Sequence, residues 1–274
     1  MSPDAGASPG RGFGCSGVEL SALCFGVMRL AQRGFDEAQA TDFLARLYDR
    51  GVTSIHVSHE YESHALACAA VRGLRRIRPG AQLEIVAKLA SPHFDESAFH
   101  AERVVARIEA LRRDLSADRI DLVQWMTRHT PNEDAPRLAI LKRDAGKIGE
   151  TFAGLKASGR VGALGVFPYS DAFLRAALDY AWTDGVVSYL NLQETETVPY
   201  LDRLASEGRG FVAIRPLNAG ALAADAERAI GFPLKHPAVA SVIMSLSNAA
   251  QADTALAAVA GATADAAAFH AMAA

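Results

Sequence analysis

Residues 103–126 read RVVARIEALRRDLSADRIDLVQWM, and this stretch shows the repeating unit of the fold. In its first half, one apolar stripe at helical spacing consists of Val104, Ile108, Leu111 and Leu115. In its second half, the run DLVQWM is short and mostly apolar, which is typical of a buried strand. A helix with one apolar face followed by a buried strand predicts one unit of an α/β fold with a parallel sheet.

The same alternation of short apolar runs and longer helical patterns continues along the chain from Leu20. Predicted strands occupy residues 23–27, 54–57, 83–88, 121–126, 163–166, 185–190, 211–215 and 241–244. Eight strands with helices between them are what a closed (β/α)8 barrel, or TIM barrel, requires. We therefore predict a TIM barrel that forms a single domain over residues 12–274, preceded by a disordered tail over residues 1–11.

Three further segments have distinct patterns. Residues 12–20 contain Gly14 and Gly17 as turn residues and predict a β-hairpin that closes the bottom of the barrel. Residues 127–142 predict a long irregular loop over the barrel mouth, and loops of that length are usually functional. The alanine-rich segment 255–274 predicts a helix without a motif.

The composition restricts the class of partner. The chain has 274 residues, of which 50% are hydrophobic and 22% are charged, so it can bury a large core. The formal net charge is −3 and no basic run occurs, which argues against a nucleic-acid partner. No apolar stretch approaches the roughly 20 residues of a membrane span. We expect a cytoplasmic protein with a small-molecule substrate and with reduced thiols at Cys15, Cys24 and Cys68.

The ends of the predicted strands carry the residues with chemical potential, because loops at that edge of a barrel meet over one pocket. The second strand runs into IHVSHEY at residues 55–61, the third ends at Lys88 and the fourth ends at Met126. Together with GRVGALGV at 159–166, RPL at 215–217 and SVIM at 241–244, these segments resemble the aldo-keto reductases over nearly the whole chain. The resemblance implies a barrel enzyme that reduces carbonyl compounds with NADP or NAD.

The resemblance also implies roles for individual residues. Tyr61 matches the family's general acid, and Lys88 matches the lysine that lowers the pKa of that tyrosine. His56 stands where the family has an aspartate, and Met126 stands where it has a histidine. Because a thioether cannot donate a hydrogen bond, Met126 cannot orient a substrate carbonyl.

The cofactor site departs from the family in a similar way. Phe167-Pro168 replaces the Ser-Asn pair that holds the nicotinamide carboxamide, and the expected glutamine is absent from residues 186–188. The resemblance places NADP or NAD against Gly26, Met28, Arg215, Leu217, Ser247 and Asn248. No arginine or lysine follows Ser247 closely in the sequence to bind a 2′-phosphate. The departures count against NADP or NAD as a cofactor, and they predict weak or absent binding of a dinucleotide.

Other side chains near the predicted pocket have simpler interpretations. His56, His59 and His64 lack a spacing that favours a metal site, so no metal is predicted. His129, on the loop after Met126, is a candidate for a displaced imidazole, although a solvated loop residue is the favoured interpretation. Met126, His129, Phe167 and Trp125 are the candidate pocket residues. Trp125, as the neighbour of Met126 on a strand, is expected to face the helices and to serve core packing.

Three functions remain open at this stage. The first is NAD(P)H-dependent carbonyl reduction with Tyr61, Lys88 and His56, and the Tyr-Lys pair places it slightly ahead. The second is an isomerase, epimerase or lyase that uses the same three residues without nicotinamide. The third is a binding or scaffold barrel without catalysis, because a fold does not fix a function.

Overall fold

The computed structural model describes residues 10–94, 96–130 and 132–273, and it contains a closed barrel of eight parallel strands. Two short strands, β1 (Arg11–Gly12) and β2 (Glu19–Leu20), come first. The barrel strands are β3 (Leu23–Gly26), β4 (Ser54–Val57), β5 (Glu84–Ala90), β6 (Ile120–Met126), β7 (Val161–Val166), β8 (Gly185–Tyr189), β9 (Gly210–Ile214) and β10 (Val239–Met244). Each strand pairs in parallel with the next, and β10 returns to β3. The predicted TIM barrel is confirmed.

Helices follow the strands and cover the outside of the barrel. They are α1 (Glu37–Tyr48), α2 (His64–Ile77), α3 (Ala101–Asp114), α4 (Asp134–Ala157), α5 (Asp171–Leu178), α6 (Val198–Ser206), α7 (Ala226–Leu234) and α8 (Ala249–Ala273). The start of α1 shows how the sequence sets a boundary. Asp36 accepts a hydrogen bond from the Gln39 amide while the Gln39 side chain accepts from the Asp36 amide, so the two residues cap the first turn.

Side chains alternate along the strands between an outer core under the helices and the barrel interior. On β6, for example, Val123 and Trp125 belong to the outer core, whereas Leu122 packs inside the barrel. Gln124 lies on the same inward face as Leu122, two residues closer to the carboxyl end of β6. Lys88 is its register partner on β5. The lower interior is therefore apolar, while polar side chains lie nearer to the carboxyl ends of the strands.

The predicted β-hairpin is confirmed, because β1 pairs antiparallel with β2. Between these strands Phe13 is fully buried and packs against inward residues such as Leu122 and Val212, so the hairpin closes the amino-terminal end of the barrel. The backbone there is tight: a Cβ atom on Gly210 would lie 2.4 Å from Cδ2 of Phe13. Glycine at this position is what allows the phenyl ring to enter.

The predicted disordered tail over residues 1–11 extends too far toward the barrel, because its last residue is ordered. Arg11 belongs to β1, and its Nε donates a hydrogen bond to the Val239 carbonyl at 3.0 Å. The side chain therefore ties the hairpin to β10. Residues 1–9, which make up the rest of that prediction, lie outside the described residues.

The predicted irregular loop over residues 127–142 is wrong in its second half. Helix α4 begins at Asp134, so the described connection after β6 is only residues 127–130 and 132–133. Pro136 is the third residue of the helix. Proline is tolerated in a first helical turn because the amide groups there have no partner within the helix.

The alanine-rich segment forms most of α8, as expected, and residue 274 lies outside the described residues. Its first half packs against the barrel through Ala252, Ala255 and Val259, which are all buried. In the part of the chain that the structure describes, none of the helices has the length and apolarity needed to span a bilayer.

Replacing Phe13 with alanine is expected to lower the free energy of unfolding by about 3–5 kcal/mol, because it empties a closed space at the base of the barrel. Equilibrium urea denaturation of both proteins measures the difference. Ile77→Ala is the matched control, because Ile77 is 43% exposed and its truncation is expected to change stability by about 0.5 kcal/mol or less. A Phe13→Ala protein as stable as the wild type would mean that the hairpin does not contribute to the core.

Candidate active site at the barrel mouth

His56 on β4 is the deepest titratable side chain of the site. It is 7% exposed, and its Nε2 lies 2.8 Å from Oε1 of Gln124 on β6. With Gln124 Oε1 as the acceptor, Nε2 carries the proton and Nδ1 holds the free electron pair, an assignment made from this hydrogen bond. Burial lowers the pKa of His56 to about 4, and the positive charge of Lys88 acts in the same direction. The imidazole is therefore neutral at neutral pH.

Tyr61 lies on the short connection between β4 and α2. A backbone hydrogen bond from the Tyr61 amide to the Ser58 carbonyl at 3.2 Å forms the turn. The Tyr61 ring centroid lies 6.0 Å from that of His56, and Lys88 Nζ lies over the tyrosine ring at 4.9 Å from its centroid. The structure thus brings His56, Tyr61 and Lys88 together at one end of the barrel.

The expectation that the pKa of Tyr61 is lowered is wrong. The pKa of Tyr61 is raised above its ordinary value, first because the phenol is buried and next because the Glu60 carboxylate is close. Lys88 lies over the face of the ring, and its charge is partly offset by Glu60. Tyr61 is accordingly a protonated phenol at neutral pH.

Glu60 takes over the role of carboxylate partner to Lys88. Its Oε2 lies 3.6 Å from Lys88 Nζ and 2.7 Å from Nη2 of Arg128, and its Oε1 lies 3.6 Å from Nε2 of His93. Arg128 also contacts His93, with Nη1 and Nε2 at 2.9 Å. The pKa of Lys88 is lowered by burial and by Arg128, with Glu60 opposing both.

Glu60, Arg128 and His93 were not predicted as site residues. One signal was available for Glu60, because a strand-end lysine that has lost its aspartate needs another carboxylate nearby. Glu60 stands directly before Tyr61 in the sequence and was the candidate. Arg128 and His93 lie on two different loops, and the sequence carries no signal that they meet.

The opposite wall of the mouth is apolar. Met126 and Phe167 are 9% and 4% exposed, and they form a separate cluster with Ala90, against which Tyr169 and Ile214 pack. The Phe167 ring lies edge-on to the rings of Tyr169 and Tyr189, at centroid distances of 5.0 and 5.3 Å. Two of the predicted pocket residues, Met126 and Phe167, thus lie on the same wall.

Of the other two predicted pocket residues, Trp125 lies outside the pocket. Trp125 is fully buried outside the barrel, where it packs against Phe99 and Phe173 and donates from Nε1 to the Ser91 carbonyl at 2.8 Å. It therefore serves the core, as the alternation predicts, and is not a pocket residue. His129 is half-buried on the loop after β6.

A family model supplies the identification. The model of the Aldo/keto reductase family matches residues 22–232, which covers the barrel from β3 into α7. The chain belongs to the aldo/keto reductase family. A comparison with curated protein sequences finds no match.

Solved structures of other aldo-keto reductases have the same fold. PA4992 of Pseudomonas aeruginosa, assigned as an aldo-keto reductase, superposes with a TM-score of 0.74 at 23% identity, covering 96% of this chain and 100% of its own. The holo form of AKR11C1 from Bacillus halodurans gives a TM-score of 0.72 at 17% identity, with 91% and 90% covered. The thermostable aldo-keto reductase Tm1743, bound to the inhibitor epalrestat, gives 0.68 at 17% identity, with 92% and 94% covered.

The nicotinamide end of the site does not fit the cofactor of this aldo/keto reductase family. After β7 the chain presents Phe167 and Pro168, and the inward positions of β8 are Val187 and Tyr189. The nearby amide of Asn191 is already used, because its Nδ2 donates to Glu194 at 2.6 Å and to the Arg215 carbonyl at 2.9 Å. Apart from the Tyr189 phenol, these positions therefore offer no free amide or hydroxyl group to a carboxamide.

The predicted phosphate end is occupied by internal contacts. Ser247 donates from its amide and its Oγ to Gln251 Oε1, and Asn248 Oδ1 accepts from the Gln251 amide, so both residues cap α8. Arg215, at a left-handed φ of 59°, pairs with Glu194 at 3.1 Å.

Three further residues were predicted to contact the cofactor, namely Gly26, Met28 and Leu217. Gly26 packs closely under Ser245, because a Cβ there would lie 3.2 Å from its Oγ. Met28 is 39% exposed at the rim, and Leu217 packs against the outer core.

Cations lie near Ser247 in space, although no arginine or lysine follows it closely in the sequence. Ser247 shares a surface cleft of about 390 Å³ with Arg33, which precedes α1, and with Arg46, which lies in the last turn of α1. Among the described residues, no group of three histidine, cysteine or acidic side chains is arranged to hold a metal ion.

Proposed function

We propose that the barrel mouth is an acid-base site that acts on a small carbonyl compound without nicotinamide, as an isomerase or epimerase does. The observation that carries this proposal is the juxtaposition of a neutral imidazole and a protonated phenol: the rings of His56 and Tyr61 are 6.0 Å apart. Paired groups whose environments hold one as a base and the other as an acid are typical of proton-transfer sites.

Each residue has a defined role in the proposal. The Tyr61 hydroxyl gives its proton to the substrate carbonyl oxygen, and His56 Nδ1 takes a proton from the adjacent carbon. The C–H bond breaks, an O–H bond forms and the substrate becomes an enol. Return of a proton to carbon, with return of the hydroxyl proton to Tyr61, completes an isomerisation or epimerisation. Lys88, over the Tyr61 ring, stabilises negative charge that develops on the oxygen.

Proton exchange in heavy water tests the proposal. We expect the protein, with no dinucleotide added, to catalyse exchange of the protons next to the carbonyl of dihydroxyacetone, acetoin or pyruvate, followed by NMR. No exchange in any of these compounds, together with dinucleotide-dependent reduction of an aldehyde, would overturn it.

NAD(P)H-dependent carbonyl reduction is the second candidate. Membership of the aldo/keto reductase family favours it, and so do the two arginines beside Ser247. Binding or scaffolding without catalysis is the account left if neither activity is found.

Titration with NADPH and NADH distinguishes the candidates. We expect neither to saturate the protein at micromolar concentration, because an unpaired carboxamide in a closed site costs about 1–3 kcal/mol for each unsatisfied group. Calorimetry or quenching of tryptophan fluorescence measures the binding. A micromolar dissociation constant for either dinucleotide would favour the reductase. Phe167→Ser combined with Pro168→Asn is the companion variant, which is expected to strengthen binding.

A further inference from the structure

The charges around Glu60 are unbalanced in the part of the chain that the structure describes. Two permanent cations, Lys88 and Arg128, face the single carboxylate of Glu60, with His93 beside it. The Lys88 and Arg128 side chains are only 17% and 13% exposed, so water screens them poorly. A half-buried group of this kind favours binding of an anionic ligand, which competes with Glu60 for the two cations.

Glu60 is held weakly for a carboxylate in such a position. Its contacts with Lys88 and His93 are both 3.6 Å, which is longer than a hydrogen bond. Its Oε1 is buried and has no hydrogen-bond partner among the described residues. In the described part of the chain, Arg128 is the one cation in close contact with the carboxylate, at 2.7 Å. Because Glu60 also lies on a loop and not on a strand, a competing carboxylate can take its place.

The rim of the barrel mouth beside Lys88 and Arg128 carries exposed apolar side chains. Of the four exposed large hydrophobic side chains among the described residues, three end or follow barrel strands here: Met28 at 39%, Phe94 at 51% and Tyr189 at 37%. The Arg128 guanidinium lies 5.2 Å from the Phe94 ring centroid. Exposed apolar surface beside a cationic group fits a ligand with an anionic end and a short apolar body.

We infer that the substrate is a short oxo acid, whose carboxylate binds Lys88 and Arg128 in place of Glu60. The distance between Lys88 and the Tyr61 phenol indicates how many bonds separate the carboxylate of the substrate from its carbonyl group. Lys88 Nζ is 4.9 Å from the Tyr61 ring centroid, so a carbonyl one or two bonds from a carboxylate on Lys88 fits beside Tyr61. This favours a 2-oxo or 3-oxo acid. The carbonyl part of the inference rests on the proposed function, whereas the anion site does not.

Calorimetric titration with oxamate, an unreactive analogue of a 2-oxo acid, tests the anion site. We expect oxamate to bind at least about tenfold more tightly than its neutral diamide, oxamide, because charge-assisted hydrogen bonds are the stronger ones. Arg128→Gln is expected to weaken oxamate binding by about tenfold to a hundredfold. Arg203→Gln is the matched control, because Arg203 pairs with Glu207 on the surface of α6 and is expected to change nothing.

Glu60→Gln separates a binding site from a structural ion pair. It removes the competing carboxylate, so oxamate is expected to bind severalfold more tightly, and this variant remains informative if Arg128→Gln does not fold. Weaker binding to the Glu60→Gln protein, or equal affinity of the wild type for oxamate and oxamide, would overturn the inference. If oxamate does not bind as expected but dihydroxyacetone or acetoin still exchanges protons, the anion site is wrong and the proposed function is unaffected. Conversely, oxamate binding with no proton exchange in dihydroxyacetone, acetoin or pyruvate, together with dinucleotide-dependent reduction of an aldehyde, supports the anion site and overturns the proposed function.

Discussion

Tyr61→Phe is expected to lower the rate of catalysed proton exchange by about 10² to 10⁴, because the variant keeps the ring and loses only the proton donor. The ring would still pack beside His56 and under Lys88, so binding of a carbonyl compound should change far less than turnover. The raised pKa of Tyr61 keeps the phenol protonated through neutral and mildly alkaline pH. The acid form is therefore fully populated in the wild type under these conditions.

The measurement is the initial rate of deuterium incorporation at saturating substrate, with the melting temperature of each protein as a check on folding. Tyr48→Phe is the matched control, because it removes the same hydroxyl at the end of α1, where Tyr48 accepts a hydrogen bond from the Gln82 amide. If Tyr61→Phe exchanged protons as fast as the wild type, Tyr61 would not be the proton donor.

His56 is expected to make the protein markedly less stable in mild acid. Its pKa is about 4 in the folded protein and near its ordinary value of 6.5 in the unfolded chain. Between these values the unfolded state binds more protons than the folded state, so stability falls as the pH falls. The contribution of a neutral His56 to the free energy of unfolding is complete above pH 6.5 and is lost progressively as the pH falls to 4. This difference between the two pKa values corresponds to about 3 kcal/mol in the free energy of unfolding.

Chemical denaturation at pH 7 and at pH 4.5, on the wild type and on His56→Gln, measures this contribution. Other groups titrate over the same range, so the difference between the two proteins is the informative quantity. The variant should lose less stability on acidification, because glutamine does not protonate. Equal losses in both proteins would mean that the imidazole is not held neutral by its surroundings.

The fold was largely predictable because strand and helix periods are local properties. Inward and outward residues alternate along a strand, so the position of Trp125 under the helices followed from that of Met126 on the next residue. The boundary of α4 was missed because Pro136 breaks a helix interior but is tolerated in a first turn. The sequence alone does not say in which turn a proline lies.

The candidate site was predictable only where its residues belong to strands or follow them directly. His56, Tyr61 and Lys88 were found in this way. Glu60 neutralises Lys88 from a loop, and Arg33 and Arg46 reach Ser247 from another βα unit. Such contacts depend on how loops fold over the barrel edge, which residue spacing does not encode.

The hairpin at the base of the barrel also sets an order of events during synthesis. Phe13 leaves the ribosome early, yet its ring packs against Gly210 and its neighbour Arg11 binds the carbonyl of Val239. These partners are made roughly 200 residues later, which at about 5–20 residues per second is about 10–40 s. The nascent amino-terminal segment therefore stays undocked, with an aromatic side chain available to chaperones, until nearly the whole barrel has been translated.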